Sequence, residues 1–301
     1  MPTRALGRTS ERVSMLGLGG YHIGQPEEAE ALRIMDRAIE HGLTFFDNCW
    51  DYNSGESERR MGKALRGAKR DKVFLMSKID GRKKAVAARQ IDQSLERLAT
   101  DRVDLMQIHE VIRDSDPAEV FGPDGAIEAL LSAQKAGKIR YIGFTGHKHP
   151  KIHLNMLKTA ADHGVRFDTV QMPLNVMDPH YASFERSVLP VLVEQQIGVL
   201  GMKPLGAGIV LQSGVVDARE CLRYSLSLPT SVVITGIDSM AILEQALDVA
   251  RDFEPLDDDA RRALLARTAP HGRDGGYEKF KTSSMFDGTI QHPHWLTEAR
   301  L

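Results

Sequence analysis

The sequence is poor in cysteine, in net charge and in long apolar runs. Its two cysteines, Cys49 and Cys221, are too few for a disulfide framework, a multi-cysteine metal site or an iron–sulfur cluster. A formal net charge of −2 provides no large positive field, so nucleic acid is not an expected partner. No stretch approaches 18 apolar residues, and residues 1–15 lack the apolar core of a signal peptide. We therefore expect a cytoplasmic protein that does not enter a membrane.

Signature motifs of three common enzyme classes are absent as well. The chain has no P-loop, HExxH or GxSxG sequence, which excludes the usual phosphotransfer, zincin and serine-hydrolase sites. The glycine-rich segment GLGG at 17–20 does not form a complete GxGxxG dinucleotide fingerprint, because His22 occupies the position of the third glycine. We interpret 17–20 as a tight loop after a first strand, where Gly20, Tyr21 and His22 contact a substrate.

The sequence does contain a regular alternation of strand and helix. Eight short apolar runs have centres roughly 30 residues apart, the length of one strand–helix repeat. The runs lie at 13–20, 43–49, 72–79, 103–111, 139–146, 169–176, 198–205 and 231–237. Between them the spacing is helical, as for Leu32, Met35 and Ile39 at i, i+3 and i+7. The pattern predicts an α/β protein with a (β/α)8 TIM barrel, and a doubly wound open sheet is the alternative.

Glycine recurs at the predicted junctions from helix to strand, and glycine favours the left-handed backbone that ends a helix. These junction residues are Gly42, Gly137, Gly164 and Gly198. No linker rich in Ser, Gly or Pro divides the chain. We expect a single domain over 1–301, with the barrel at about 10–252 and a C-terminal extension at 253–301.

Polar residues stand at the predicted strand ends, where the chemistry of a (β/α)8 barrel is located. The set comprises Asp47 at the tip of the second strand and Tyr52 just beyond it, Lys78 at the end of the third strand and His109 at the end of the fourth. A buried lysine needs a carboxylate partner, and Asp47 is the obvious one. The ammonium is expected to lower the pKa of Tyr52, while His109 orients a carbonyl. Such a set suits protonation of a carbonyl oxygen.

Three segments around these residues read FFDNCWDYNSGESERRMGKAL, KVFLMSK and VDLMQIH. They resemble the aldo-keto reductases, which are NAD(P)H-dependent carbonyl reductases built on a (β/α)8 barrel. The resemblance continues through GKIRYIGFTGH, VQMPLN, MKPLGAG and VVITGIDSMAILEQAL, and it covers most of 1–250. It implies a catalytic tetrad with Tyr52 as proton donor, made of Asp47, Tyr52, Lys78 and His109. It also implies a C-terminal segment folded over the barrel mouth.

The same resemblance implies which residues bind a nicotinamide cofactor, NADP(H) or NAD(H). Gln171 matches a glutamine that contacts the nicotinamide amide, and Thr145 matches a serine. Met202 replaces an aromatic ring that stacks on the nicotinamide, and Lys203 replaces a serine near the pyrophosphate. The implied cofactor set also contains Asp47, Pro204, Leu205, Gly206, Gly208, Gly236, Asp238 and Gln245.

The choice between the two dinucleotides stays open. Many members of the family place Arg or Lys shortly after the glycine of strand 8, where it holds the 2′-phosphate of NADPH. This chain has Asp238 there. A carboxylate prefers a ribose hydroxyl and repels a phosphate, which favours NADH. We expect neither a metal nor an iron–sulfur cluster.

Substrate contacts are expected from Tyr21, Trp50 and His109 at the barrel mouth. In the resembling family the C-terminal segment shapes substrate choice. Four aromatic side chains of the extension therefore have two readings, as a substrate wall or as packing against helices. They are Tyr277, Phe280, Phe286 and Trp295.

Several other polar segments have structural interpretations. The pairs His147/His149 and His292/His294 lack the spaced carboxylates or cysteines of a metal site, so we interpret them as solvated loop histidines. Arg82 is interpreted as a solvated charge at a helix start.

The main functional hypothesis is therefore an enzyme that reduces a small aldehyde or ketone with a nicotinamide cofactor. One alternative is a nicotinamide-binding sensor or regulatory subunit with little turnover. A second alternative is a lyase that forms a Schiff base at Lys78 or Lys203. Structurally, Asp47 and Lys78 alone would also fit an ion pair that closes the barrel. The physiological carbonyl and the oligomeric state are not readable from the sequence.

Overall fold

The computed structural model describes residues 1–298, and within them eight parallel strands form a closed barrel. The strands are β1 (Thr3–Ala5), β2 (Arg12–Ser14), β3 (Leu16–Gly19), β4 (Phe45–Asp47), β5 (Phe74–Ile79), β6 (Val103–Ile108), β7 (Ile139–Thr145), β8 (Thr169–Pro173), β9 (Gly198–Met202) and β10 (Val232–Gly236). The barrel runs in sequence order from β3 to β10, and β1 and β2 form a separate antiparallel hairpin.

Each predicted apolar run contains one strand of the barrel, so the prediction of a (β/α)8 barrel is confirmed. β5, β6 and β8 are buried along their whole length, as expected for parallel strands covered on both faces. Because β10 pairs with both β9 and β3, the ring is closed and the open-sheet alternative is wrong.

Helices follow the strands and cover the outside of the barrel. They are α1 (Gly20–Ile23), α2 (Glu28–Glu40), α3 (Glu56–Ala64), α4 (Lys84–Arg97), α5 (Asp116–Phe121), α6 (Ala126–Lys135), α7 (Pro150–Asp162), α8 (Phe184–Ser187), α9 (Leu189–Glu194), α10 (Ala218–Ser227), α11 (Met240–Arg251), α12 (Asp258–Gly272), α13 (Lys279–Thr282), α14 (Gly288–Gln291) and α15 (His294–Thr297). In α2 the apolar stripe faces inward, with Ile34, Met35 and Ala38 buried. None of the helices in the described part of the chain is both long and apolar enough to span a membrane.

The helix-ending glycines behave as predicted in three of the four cases. Gly42, Gly137 and Gly164 have φ of +77°, +75° and +69°. The prediction is wrong for Gly198, which is the first residue of β9, while Gln196 makes the left-handed turn at φ +54°. Gly198 instead provides space, because a Cβ there would lie 3.0 Å from Cδ1 of Leu6.

The hairpin closes the amino end of the barrel. Leu6 and Val13 pack into the inner layer of apolar side chains, whose other members are Phe45, Phe74, Met76, Leu105, Leu200, Val232 and Ile234. Arg4 donates hydrogen bonds to the carbonyls of Leu226 and Thr230 at 2.6 and 2.9 Å. Apolar side chains therefore fill the interior at the amino end of the barrel, and the opposite, carboxyl rim is the end that can hold a site.

The chain after α11 returns to that carboxyl rim. Thr268 of α12 donates to the carbonyl of Val176 at 3.1 Å, and the segment 277–289 contacts residues that follow β6, β7 and β9. The described part of the extension therefore lies over the barrel mouth, and the tail residues 299–301 fall outside the described residues. The single-domain assignment with boundaries near 10 and 252 stays a prediction.

Candidate active site

The four side chains at the predicted strand ends meet at the carboxyl rim of the barrel. Asp47 is the last residue of β4, Lys78 lies near the end of β5, and His109 directly follows β6. Tyr52 begins a short 3₁₀ turn after β4. Neighbouring parallel strands end side by side, which is why groups far apart in sequence converge here.

Lys78 is the centre of the hydrogen-bond network at this rim. Its ammonium donates to Oδ1 of Asp47, to the carbonyl of Asn48 at 2.8 Å and to the hydroxyl oxygen of Tyr52 at 3.2 Å. Lys78 is 1% exposed and Asp47 is 3% exposed. Because the Tyr52 oxygen accepts from Lys78, its own O–H stays available to donate to another molecule.

Burial raises the pKa of Tyr52 well above its ordinary value, and the carboxylate of Asp47 acts in the same direction. The expectation that Lys78 lowers this pKa is therefore wrong for the structure as described. Desolvation of the phenolate outweighs the attraction of one ammonium, whose charge is largely balanced by Asp47. The phenol keeps its proton at neutral pH and is poised as a donor.

His109 faces Tyr52 on one side and a group of polar side chains on the other. Its ring stands edge-on to the Tyr52 ring, with the centroids 5.8 Å apart. Nδ1 lies 2.9 Å from Oδ1 of Asp80 and 3.3 Å from Sγ of Cys49. Burial lowers the pKa of His109, so the imidazole is neutral near pH 7. Asp80 was missed at the sequence level, because a single carboxylate after a strand carries no specific signal.

Arg82 also lies behind His109, and its interpretation as a solvated charge is wrong. It is fully buried, and its Nε donates to Oδ1 of Asp116 at 2.9 Å. The guanidinium also donates to the carbonyls of Asp80, His109 and Glu110. Arg82 thereby ties together the loops that follow β5 and β6. Arg82 and Asp116 share no helical or strand spacing, so the sequence held no signal for this pair.

Glu110 and His147 hold the C-terminal extension onto the rim. The Glu110 carboxylate accepts bonds from the backbone N–H groups of Gly288 and Thr289 at 2.9 and 2.7 Å. His147 is buried, and its Nε2 lies 2.8 Å from Oδ1 of Asp287. The interpretation of His147 as a solvated loop histidine is wrong, because Asp287 of the extension covers it.

Three of the residues implied for the nicotinamide lie on adjacent strands, with Thr145 and Met202 at the ends of β7 and β9 and Gln171 within β8. Thr145 pairs in register with Gln171, and the hydroxyl of Thr145 donates to the sulfur of Met202 at 3.7 Å. Nε2 of Gln171 donates to Oδ2 of Asp47 at 3.2 Å. Oε1 of Gln171 is buried and finds no hydrogen-bond partner within residues 1–298. The structure therefore brings these three residues next to the tetrad.

The loop after β9 lies beneath the aromatic part of the extension. Lys203 has φ +55°, and its ammonium lies 4.7 and 5.4 Å from the ring centroids of Phe286 and Phe280. Burial lowers the pKa of Lys203 to about 8. The loop continues through the buried Pro204, the half-buried Leu205, and two glycines with positive φ, Gly206 (+56°) and Gly208 (+83°).

The loop after β10 is contacted by the first strand–helix loop. A Cβ at Gly236 would lie 2.3 Å from the ring of His22, so this ring rests against the backbone at the end of β10. Burial lowers the pKa of His22, while the charge of Asp238 opposes that change. Gln245 is half-buried on α11.

Of the residues expected to contact substrate, Tyr21 lies beside the tetrad and Trp50 points away from it. Tyr21 is 48% exposed, and its ring centroid lies 5.6 Å from that of Tyr52. Trp50 instead packs sideways, with its Nε1 donating to Gln93 at 2.7 Å and its ring edge-on to Trp295 at 5.8 Å. Tyr21 therefore joins the tetrad directly, whereas Trp50 connects the rim to α4 and the extension.

Comparison with known proteins matches this geometry to one family. The Aldo/keto reductase family model matches residues 15–221. The oxidoreductase YrpG of Bacillus subtilis (strain 168), described as uncharacterized, is 32% identical over 233 residues, which cover 68% of this chain and 67% of YrpG. L-galactose dehydrogenase of Arabidopsis thaliana is 30% identical over 295 residues, covering 84% of this chain and 89% of that enzyme.

A solved structure shows the same fold. The holo form of the aldo-keto reductase AKR11C1 from Bacillus halodurans superimposes with a TM-score of 0.76 at 24% identity. The alignment covers 91% of this chain and 99% of that chain. At this identity the likeness is one of architecture, that of the closed strand–helix barrel.

Proposed function

Because the chain belongs to the aldo/keto reductase family of oxidoreductases, we propose that it reduces aldehyde or ketone carbonyls to alcohols with NADPH or NADH. The observation that carries the proposal is the hydrogen-bonded arrangement of Asp47, Lys78 and Tyr52, with His109 facing the same phenol. A buried ion pair that only closed the barrel would not require a phenol on the lysine or an imidazole beside it.

In this proposal Tyr52 donates the proton to the carbonyl oxygen. Its O–H is held in place because Lys78 donates to its oxygen at 3.2 Å. Asp47 keeps the ammonium charged and oriented, and the bond from Lys78 to the Asn48 carbonyl fixes it further. His109, neutral through burial, orients the carbonyl toward the phenol.

The residues at the ends of β7 to β9 fit a nicotinamide. The unpaired, buried Oε1 of Gln171 needs a donor, which the carboxamide of a nicotinamide offers. Thr145 and Met202 stand beside it, and the thioether of Met202 can cover an aromatic face. When bound, the reduced nicotinamide supplies the hydride for the carbonyl carbon. Aldo/keto reductases generally use nicotinamide cofactors, in agreement with this assignment.

For the rest of the dinucleotide we propose the loops after β9 and β10. Gly208 has open space where a side chain would stand, and Lys203 offers a cation for phosphate oxygens. Pro204, Leu205 and Gly206 shape this loop. Gly236, Asp238 and Gln245 form the opposite side, where Asp238 favours a ribose hydroxyl over a 2′-phosphate. Tyr21 and His109 would then contact substrate, with Trp50 supporting the wall formed by Trp295.

The test is removal of the phenol hydroxyl in Tyr52→Phe. Carbonyl reduction of 4-nitrobenzaldehyde, followed as loss of nicotinamide absorbance with NADPH and NADH in parallel, should fall about 10²–10⁴-fold. Cofactor affinity, followed by nicotinamide fluorescence, should change little. Tyr181→Phe, which removes an exposed phenol outside the tetrad, is the control and should keep wild-type turnover.

Near-normal turnover in Tyr52→Phe would refute this phenol as the proton donor. Cofactor binding without turnover in the wild-type protein would favour the nicotinamide-binding sensor over the reductase.

A further inference from the structure

Around Nδ1 of His109, four side chains of types that can bind a metal ion come together. Cys49, Asp51, Asp80 and His109 each offer one ligand atom, and these atoms all lie within 4.8 Å of one another. Nδ1 of His109 is 3.3 Å from Sγ of Cys49, 2.9 Å from Oδ1 of Asp80 and 3.6 Å from Oδ1 of Asp51. One thiol, one imidazole and two carboxyl groups therefore share a single small volume.

Two oxygens of this group are left without a hydrogen bond. Oδ1 of Asp51 and Oδ2 of Asp80 are buried and have no partner among residues 1–298, although Asp80 is fully buried. A buried carboxyl oxygen is normally paired, because removing it from water without a partner costs about 1–3 kcal/mol or more. Two such oxygens beside one imidazole can bind a cation or a hydrogen-bond donor.

We propose that Cys49, Asp51, Asp80 and His109 form a binding site for one divalent transition-metal ion of the Zn²⁺ class. Zn²⁺ holds thiolate sulfur at about 2.3 Å and imidazole nitrogen or carboxylate oxygen at about 2.0–2.2 Å, so neighbouring donors of a tetrahedral site lie about 3.3–3.6 Å apart. The separations of 3.3 Å between Cys49 and His109 and of 3.6 Å between Asp51 and His109 already match, and the other ligand atoms, which all lie within 4.8 Å of one another, move closer together on binding. Asp80 withdraws by a few tenths of an ångström from its present hydrogen bond or binds through its free oxygen.

The donor set selects the metal. A thiolate with an imidazole suits Zn²⁺ or Co²⁺, whereas Mg²⁺ and Ca²⁺ prefer oxygen ligands alone. On binding, the metal–sulfur bond replaces the S–H bond of Cys49 and the proton leaves to solvent. Nδ1 of His109 binds the ion, which leaves the ring proton on Nε2.

The charged groups around the cluster are engaged with other partners and do not occupy its ligand atoms. The Lys78 ammonium is engaged with Asp47, and the Arg82 guanidinium with Asp116 and three carbonyls. The Glu110 carboxylate accepts bonds from the extension. The Asp51 side chain is 12% exposed, which places this ligand at the solvent side of the cluster. The proposal departs from the expectation of a metal-free protein and does not depend on the proposed reaction.

The experiment is titration of the full chain with Co²⁺, followed by absorbance. One equivalent should produce the charge-transfer band of a thiolate–Co²⁺ bond, and Zn²⁺ should abolish it. Cys221→Ser removes the other buried thiol and should keep the band, whereas Cys49→Ser should lose it. Asp51→Asn should weaken Co²⁺ at least about tenfold. It serves as the second variant if Cys49→Ser does not give the wild-type circular dichroism spectrum.

The proposal is overturned if the wild-type protein shows no thiolate–Co²⁺ band. It is equally overturned if Cys49→Ser retains the band or Asp51→Asn binds Co²⁺ like the wild type. None of these readouts uses turnover, so a failure of the proposed reductase activity would leave the result intact.

Discussion

At the scale of single residues, the burial of Lys78 places a charge where water cannot solvate it. Taking an ammonium out of water costs several kcal/mol, and the interaction with Asp47 offsets this only when the remaining donors are also satisfied. Here the other two donors reach the Asn48 carbonyl and the Tyr52 oxygen. All three N–H groups therefore have acceptors, which explains how a charge that is 1% exposed is tolerated.

His153 is a buried histidine with a different consequence, a dependence of stability on pH. It is fully buried between the rings of Phe144 and Phe184, and burial lowers its pKa to about 3. In the unfolded chain the pKa of this histidine is about 6.5. Between pH 6.5 and pH 3 the imidazole is therefore protonated in the unfolded state and neutral in the folded state. Stability is therefore lost as pH falls from 6.5 toward 3. Between pH 7 and pH 5 this residue should cost about 2 kcal/mol.

The measurement compares urea unfolding of wild type and His153→Leu at pH 7 and pH 5. The variant should lose about 2 kcal/mol less than wild type over this interval, whatever its stability at pH 7. His163→Leu, which removes an exposed histidine just after the same helix, is the matched control and should follow the wild type. Equal losses in wild type and His153→Leu would show that His153 is protonated in the folded state.

At this scale the sequence predicted which residues meet but not their surroundings. These residues were predictable because Asp47, Lys78 and His109 stand at strand ends, which converge in a barrel, and Tyr52 follows shortly after the first of them. The raised pKa of Tyr52 was not predictable, since it follows from burial by atoms of many segments. Arg82 was misread for the same reason: its acceptors come from loops whose paths no local pattern describes.

At the scale of elements, Asp287 and Glu110 are two points of polar contact between the C-terminal extension and the rim. Asp287 is 1% exposed, and its two carboxylate oxygens lie 2.8 Å from Nε2 of His147 and 2.7 Å from Nζ of Lys148. Glu110 accepts the N–H groups at the start of α14. Because Phe280 of α13 is fully buried, α13 has apolar packing of its own, whereas the polar contacts of Asp287 and Glu110 hold the segment around α14.

We therefore expect Asp287→Ala to loosen the extension without unfolding the barrel. Removing one partner of a buried charged pair costs about 2–3 kcal/mol, which corresponds to about 30–160-fold faster amide exchange. Hydrogen–deuterium exchange should accelerate in 283–291 and stay unchanged in β5 and β6. Asp92→Ala, which breaks an exposed pair with Lys138, is the control and should alter neither region. Unchanged exchange in 283–291 would show that the remaining contacts, such as that of Glu110 with α14, hold this segment without Asp287.

The elements of the barrel were more predictable than those of the extension. The strands repeat with a regular period, and Gly42, Gly137 and Gly164 mark helix ends by a local backbone requirement. Gly198 failed as such a marker because its small size serves contact with Leu6, a long-range packing need that looks identical in the sequence. The extension has no period, so its path over the rim was available only through the family resemblance.

At the scale of the whole molecule, the two ends of the barrel differ. The amino end, called the floor here, is closed by apolar side chains, and the carboxyl rim carries the site. The hairpin of β1 and β2 supplies the floor, because Leu6 and Val13 enter the same inner layer as the strand residues. Gly198 leaves the room that Leu6 needs. The polar groups are thereby confined to the opposite end, where the tetrad lies beneath the extension.

If the hairpin is part of the core, truncating its buried side chain should destabilise the entire barrel. Leu6 is fully buried, so Leu6→Ala should lower the free energy of unfolding by about 2–5 kcal/mol through lost burial and the cavity left behind. Leu131→Ala, at a leucine that is 41% exposed on α6, is the matched control and should cost less than about 1 kcal/mol. Urea unfolding followed by circular dichroism measures both. A loss below about 1 kcal/mol for Leu6→Ala would mean that the hairpin merely covers a barrel that is stable without it, and the floor would then have to be assigned to the inner layer of strand side chains alone.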